Sequence, residues 1–137
     1  AISSLNPRIL QLTQHQEHYF YDVYQNTSSQ GSYEAIKASA VDTLLLFKKE
    51  QRWGLISTKE RIVVPAQYKQ INLSNFGLLE VASETNLLGI LNHAGTTILP
   101  CNYKVILDQQ HYFKVNKGTS TWFYLNNQQQ ILDCEHP

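Results

Sequence analysis

A period of about 35 residues runs through the chain and limits its possible folds more than any other property. Tyr33, Tyr68 and Tyr103 stand 35 residues apart, and an isoleucine follows each three positions later, at Ile36, Ile71 and Ile106. Trp53, Leu88 and Trp122 are separated by 35 and 34 residues, and the pairs Gly54/Gly89 and Pro65/Pro100 keep the step of 35. The apolar triplet Leu44-Leu45-Leu46 returns as Leu79-Glu80-Val81 and Phe113-Lys114-Val115. Units of this length cannot bury an apolar face alone and do so by stacking on their neighbours.

The unit that opens at Trp53 is the clearest. A β-rich run from Gly54 to Ser57 meets a polar segment, Thr58 to Arg61, and then the β-branched run Ile62-Val63-Val64, which is the pattern of a hairpin. Pro65 and Pro100 cannot donate to a ladder, so they end the second strand or sit at an edge. A third strand is expected at Leu78–Ala82 and at Tyr112–Asn116. The reading is an all-β antiparallel meander of about 3.5 repeats within a single domain, 1–137. A degenerate unit spans 18–52, fuller units span 53–87 and 88–121, and a truncated one spans 122–137. Residues 1–17 are read separately: Asn6-Pro7 followed by Ile9, Leu10 and Leu12 predicts a short helix from about Pro7 to Gln16 that covers an open sheet end.

The pattern Trp53-Gly54-Leu55-Ile56, Ile62-Val63-Val64-Pro65, Tyr68-x-x-Ile71 and Leu78-Leu79-Glu80-Val81 resembles the WG β-repeat family, tandem units in bacterial proteins. Leu88 replaces the tryptophan of the next unit and Phe123 replaces the glycine of the last. The resemblance implies a β-repeat scaffold of exported or surface-associated proteins, without a shared catalytic motif. A periplasmic or secreted location is therefore expected, with the cytoplasm as the alternative.

Composition narrows the function classes. Lys plus Arg number 11 and Asp plus Glu number 11, and only 16% of residues are charged, so no basic footprint for nucleic acid is present. Amides fill the polar surface instead, with 13 Gln and 10 Asn. No apolar stretch has the length to span a bilayer. No nucleophile elbow, zinc-protease helix, phosphate loop or dinucleotide fingerprint occurs. His15 and His18 lack a third ligand, and Cys134 and His136 point oppositely on an extended chain. Neither a catalytic residue, nor a metal, nor a cofactor is expected.

Cys101 and Cys134 occupy one column of successive repeats, right after Pro100 and Asp133. Equivalent positions of stacked units are neighbours, so the pair suits either one disulfide in an exported protein or two buried thiols. Tyr19, Phe20, Tyr21, Val23 and Tyr24 form a run apolar on both strand faces, either buried twice over or exposing an aromatic stripe of the kind that dominates interfaces. Trp53 and Trp122 are assigned to the core. Tyr19, Tyr21, Tyr24, His93, His111 and Tyr112 are the candidate partner-binding residues. The functional expectation is a non-enzymatic protein-binding domain, in its concrete form an immunity protein or inhibitor that blocks a bacterial secreted toxin or effector. The alternative is a cell-envelope carbohydrate or peptidoglycan binder that stacks sugars on Tyr and Trp rings.

Overall fold

The computed structural model describes residues 1–119 and 121–133. Among the described residues, sixteen strands form four antiparallel sheets of four, each a simple meander. The first holds β1 (Ile2–Ser4), β2 (Ile9–Gln14), β3 (Glu17–Asp22) and β4 (Thr27–Ser28); the second holds β5 (Ala35–Ala38), β6 (Leu44–Lys49), β7 (Arg52–Ser57) and β8 (Ile62–Tyr68). The third is β9 (Gln70–Leu73), β10 (Leu79–Ala82), β11 (Leu88–Leu91) and β12 (Thr97–Tyr103); the last is β13 (Val105–Asp108), β14 (Tyr112–Asn116), β15 (Trp122–Asn126) and β16 (Ile131–Asp133). The chain divides into two compact units, 1–68 and 69–137, with two sheets each. Each repeat therefore contains four strands: the Tyr-x-x-Ile step opens a strand of its own, around Ile36, Ile71 and Ile106.

The recurring glycine and proline prove to be two halves of one device. Pro65 and Pro100 lie inside β8 and β12, both edge strands, and do not end them. Opposite them the ladder slips: Leu55 pairs with Val64, but Trp53 pairs with Tyr68, and the third sheet repeats the shift between Ile90/Leu99 and Leu88/Tyr103. The bulged strand leans onto the glycine between. A Cβ at Gly54 would stand 2.8 Å from the Pro65 carbonyl carbon and closer still to Val64 O, and one at Gly89 would stand 3.0 Å from the Pro100 carbonyl carbon. Where Phe123 takes the glycine's place, β15 and β16 pair without a shift.

The turns between the third and fourth strands are anchored by a second column. Asp22 Oδ1 accepts the Tyr24 and Gln25 amides at 2.9 and 3.2 Å, and Ser57 Oγ accepts those of Lys59 and Arg61 at 3.3 and 3.1 Å. Asn92 Oδ1 does the same for Ala94 and Thr96, and Asn126 Oδ1 for Gln128 and Gln130. These anchors recur at steps of 35, 35 and 34 residues, with different side chains supplying the same acceptor oxygen.

The expected helix at Pro7–Gln16 is a strand. Asn6 acts at first as a cap would, its Oδ1 accepting the Arg8 and Ile9 amides at 2.8 Å. The chain then extends, because β2 pairs along six residues with β3 and on its other side with β1. A ten-residue helix is marginal alone, whereas the strand satisfies its backbone on both sides and delivers Ile9 to the core. His15 and Gln16, with φ of 53° and 65°, close the β2–β3 hairpin as a two-residue turn, and Glu50 and Gln51 close β6–β7 in the same way.

Each unit has a core between its two sheets. In 1–68, Ile9 and Phe20 of the first sheet meet Ile36, Leu45, Phe47 and Ile56 of the second, and Tyr33 lies among them, stacked on Phe20 at 6.0 Å and edge-on to Phe47 at 5.5 Å. In 69–137, Leu78, Ile90, Leu99 and Tyr103 meet Phe113, Val115 and Leu125. Fully burying each such side chain contributes roughly 1.5–3 kcal/mol. Trp53 and Trp122, expected in the core, are half-buried: Lys37 Nζ lies 4.9 Å from the Trp53 ring and Lys114 Nζ 4.6 Å from that of Trp122.

Candidate functional site

Strand alternation gives the first sheet two unlike faces. Ile9, Gln11 and Thr13 on β2, with His18, Phe20 and Asp22 on β3, face the core; His18 Nδ1 is 2.8 Å from Gln11 Nε2 and 2.9 Å from Thr13 Oγ1. The opposite face is apolar as well. Register sets Ile2, Leu12 and Tyr19 in one row and Ser4, Leu10, Tyr21 and Ser28 in the next. Ile2 is 71% exposed, and Leu10, Leu12, Tyr19 and Tyr21 are half-buried. None of them belongs to the buried cluster of the unit or packs against it.

The two tyrosine rings are held at their tips. Tyr19 donates to Glu17 Oε2 at 3.1 Å, which with partial burial raises the phenol above its ordinary range, and Tyr21 donates to Asn26 Oδ1. Beside them lies a shallow depression of about 290 Å³ lined by Leu12, Gln14, Tyr19, Ser28 and Ser29. Tyrosine is among the side chains enriched at protein interfaces.

Two polar networks brace this sheet. Arg8 grips Asp22 through Nε at 3.0 Å to each carboxylate oxygen and through Nη2 at 2.9 Å, which with the Tyr24 and Gln25 amides holds the buried carboxyl below its usual range. Glu60, on the β7–β8 turn, accepts from the Gln30 amide, from the Gly31 amide at 3.1 Å and from Tyr33 Oη at 2.9 Å. Burial works to raise the Glu60 carboxyl, yet those bonds and Lys49 keep it below the ordinary value; the Tyr33 phenol is pushed well up, by burial first and then by Glu60. Both networks tie the 22–33 connection to its surroundings, and neither leaves a free reactive group.

The structure distributes the six sequence-derived candidates over three places. Tyr19 and Tyr21 share the first sheet's outer face. Tyr24 lies off it, 70% exposed on the β3–β4 turn with the Arg8 guanidinium 5.1 Å from its ring. Tyr112 lies on the outer face of the last sheet against Tyr124, ring centroids 5.2 Å apart, and His111 is exposed on the preceding turn. His93 is separate, half-buried on the β11–β12 turn with Nδ1 2.6 Å from Gly77 O. Leu10 and Leu12 escaped sequence reasoning because the segment read as a helix; their signal was the 35-residue step to Leu45 and Phe47.

Cys101 is a half-buried free thiol whose pKa burial pushes up, and Cys134, with His136, lies outside the described residues. Among the described residues, no group of three His, Cys, Asp or Glu side chains gathers, and no helix is long and apolar enough to cross a membrane.

No protein-family model matches the chain, and no curated protein matches it. Among solved structures it is similar to a crystal structure of HIRA (644–1017), with a TM-score of 0.42 and 10% identity, over 91% of this chain. The chain spans 43% of that one.

Proposed function

We propose that the chain is a non-enzymatic, protein-binding β-repeat domain of the WG type, which docks its partner on the outer face of the first sheet. One observation carries the reading. Leu10, Leu12 and Tyr21 stand 35 residues before Leu45, Phe47 and Ile56, which in the second sheet are buried against the first. The repeat thus builds this face for stacking, yet Leu10, Leu12 and Tyr21 stay only half-buried. Low charge, a polar rim and hydroxyl-anchored rings suit a protein partner, and inhibition of a secreted toxin or effector is the concrete form of the proposal.

Immobilised chain should capture one stoichiometric protein from a lysate of its source organism, and Leu12→Ser with Tyr21→Ser should abolish capture while Tyr112→Ser preserves it. Capture of a protein other than the chain itself that survives the first pair, or no capture by the unaltered chain, refutes the reading.

A further inference from the structure

We infer that the outer face of the first sheet receives the outer face of the last sheet of a second copy of this chain, in a head-to-tail contact. This rests on reading the first-sheet face as protein-binding and names a second copy, in place of a toxin or effector, as its occupant.

The same sheet-to-sheet packing occurs once in each unit. In 1–68, the face bearing Leu45, Phe47 and Ile56 lies on the face bearing Ile9 and Phe20. In 69–137, the face bearing Phe113, Val115 and Leu125 lies on the face bearing Leu78, Ile90 and Leu99. Each contact joins a receiving face to an inserting one. The first sheet keeps an unused face of the first kind, with Leu10, Leu12 and Tyr21 at the places of Leu45, Phe47 and Ile56.

The last sheet keeps an unused face of the second kind. Tyr112 and Tyr124 stand 34 residues after Leu78 and Ile90, and Lys114, paired with Tyr124, stands 34 after Glu80, which is paired with Ile90. Tyr112 is 36% exposed and Leu107, opposite Lys114, is 40% exposed. The open faces of the first and last sheets are therefore the two complementary halves of a packing already made twice within the chain. Tyrosine in place of leucine and isoleucine makes the inserting face tolerable in water and still able to bury its rings. With 11 positive and 11 negative side chains, copies carry no net charge to hold them apart.

A contact between two different faces is heterologous: each copy of a pair keeps one unused face, so association proceeds beyond a dimer unless the rotation closes a ring. This sets the test. Sedimentation equilibrium over a concentration series should show the unaltered chain rising from its monomer mass of 15.7 kDa past that of a dimer. Leu12→Lys and Tyr124→Lys should each be monomeric alone, with unchanged far-UV circular dichroism. Mixed in equal amounts they should form a 1:1 dimer and stop, because each variant keeps one intact face. Should either variant fail to fold, Leu10→Lys and Tyr112→Lys replace them.

An unaltered chain that stays monomeric throughout, variants that still associate alone, or a mixture that stays monomeric overturns the inference. A monomeric chain that still captures another protein through Leu12 overturns the second copy as occupant while leaving the first-sheet face a protein-binding surface.

Discussion

Replacing Gly54 with alanine tests the physical basis of the repeat. The new Cβ would lie 2.8 Å from the Pro65 carbonyl carbon, 2.9 Å from Ala66 N and closer still to Val64 O. All three are backbone atoms, so no rotamer change relieves the contact; β8 must move outward and its bulge must give way. Overpacking of this kind costs about 1–3 kcal/mol, and the alanine's narrower unfolded ensemble returns about 0.4–1 kcal/mol. The net loss should be about 1–2 kcal/mol, or roughly 5–15 °C in the melting temperature of a unit this size. Thermal unfolding followed by circular dichroism and by fluorescence in Trp122→Phe and Trp53→Phe backgrounds, which leave one tryptophan in 1–68 or in 69–137, reads the effect in each unit. Gly31→Ala is the control: the nearest atoms to its added Cβ lie at 3.5 Å, all in side chains, and stability should hold or rise slightly. A Gly54→Ala protein as stable as the unaltered chain, or a Gly31→Ala protein equally weakened, would refute the close-approach argument.

Other expectations follow from the same structure. Gly89→Ala should destabilise somewhat less than Gly54→Ala, since its added Cβ would lie 2.6 Å from Leu99 O and 3.0 Å from Pro100 and Cys101 backbone atoms, each a little longer than the matching contact at Gly54, as paired melts would reveal. Asp22→Asn should cost about 1.5–3 kcal/mol at neutral pH through weakened bonds to Arg8, measured by urea unfolding. Because the native Asp22 carboxyl sits below its unfolded value, its contribution is complete above about pH 5 and is lost as pH falls through the native value; the gap between the two proteins should close in acid. Tyr33→Phe removes one bond to Glu60, which keeps those from Gln30 and Gly31, and should cost about 0.5–1.5 kcal/mol in the same assay. Converting His15-Gln16 to Asn-Gly should raise stability by about 1 kcal/mol, because both positions have positive φ.

The all-β meander was legible because Gly54, Pro65 and Tyr68 each return 35 residues on, which only a repeated supersecondary unit explains. The strand at Ile36, Ile71 and Ile106 was less so: it is four residues long, and the isoleucine is the one apolar residue that all three copies share. The helix expected at Pro7–Gln16 failed for a non-local reason. Asn6-Pro7 is a true local capping signal, but the choice between helix and strand was made by β3 and β1, which no window around Ile9 contains. The turn anchors Asp22, Ser57, Asn92 and Asn126 obey the period and stay invisible to residue matching, since they share only an acceptor oxygen. The amide richness has a partly structural origin too: Gln16, Asn26, Gln51, Asn86, Gln110 and Gln129 all occupy left-handed turn positions. Of the site, the Tyr19 and Tyr21 stripe could be read from apolar character on both strand faces. The aliphatic floor beneath it could not, because Leu10 and Leu12 join that face only once residues 9–14 are a strand.

Hydroxyl-radical footprinting of the chain, free and bound to its partner, addresses the docking face residue by residue. The account predicts that Leu10, Leu12, Tyr19 and Tyr21 lose reactivity together on binding, while exposed Tyr24 and Ile62 keep theirs. Protection at Tyr24 or Ile62 with Leu10, Leu12, Tyr19 and Tyr21 unchanged would contradict it.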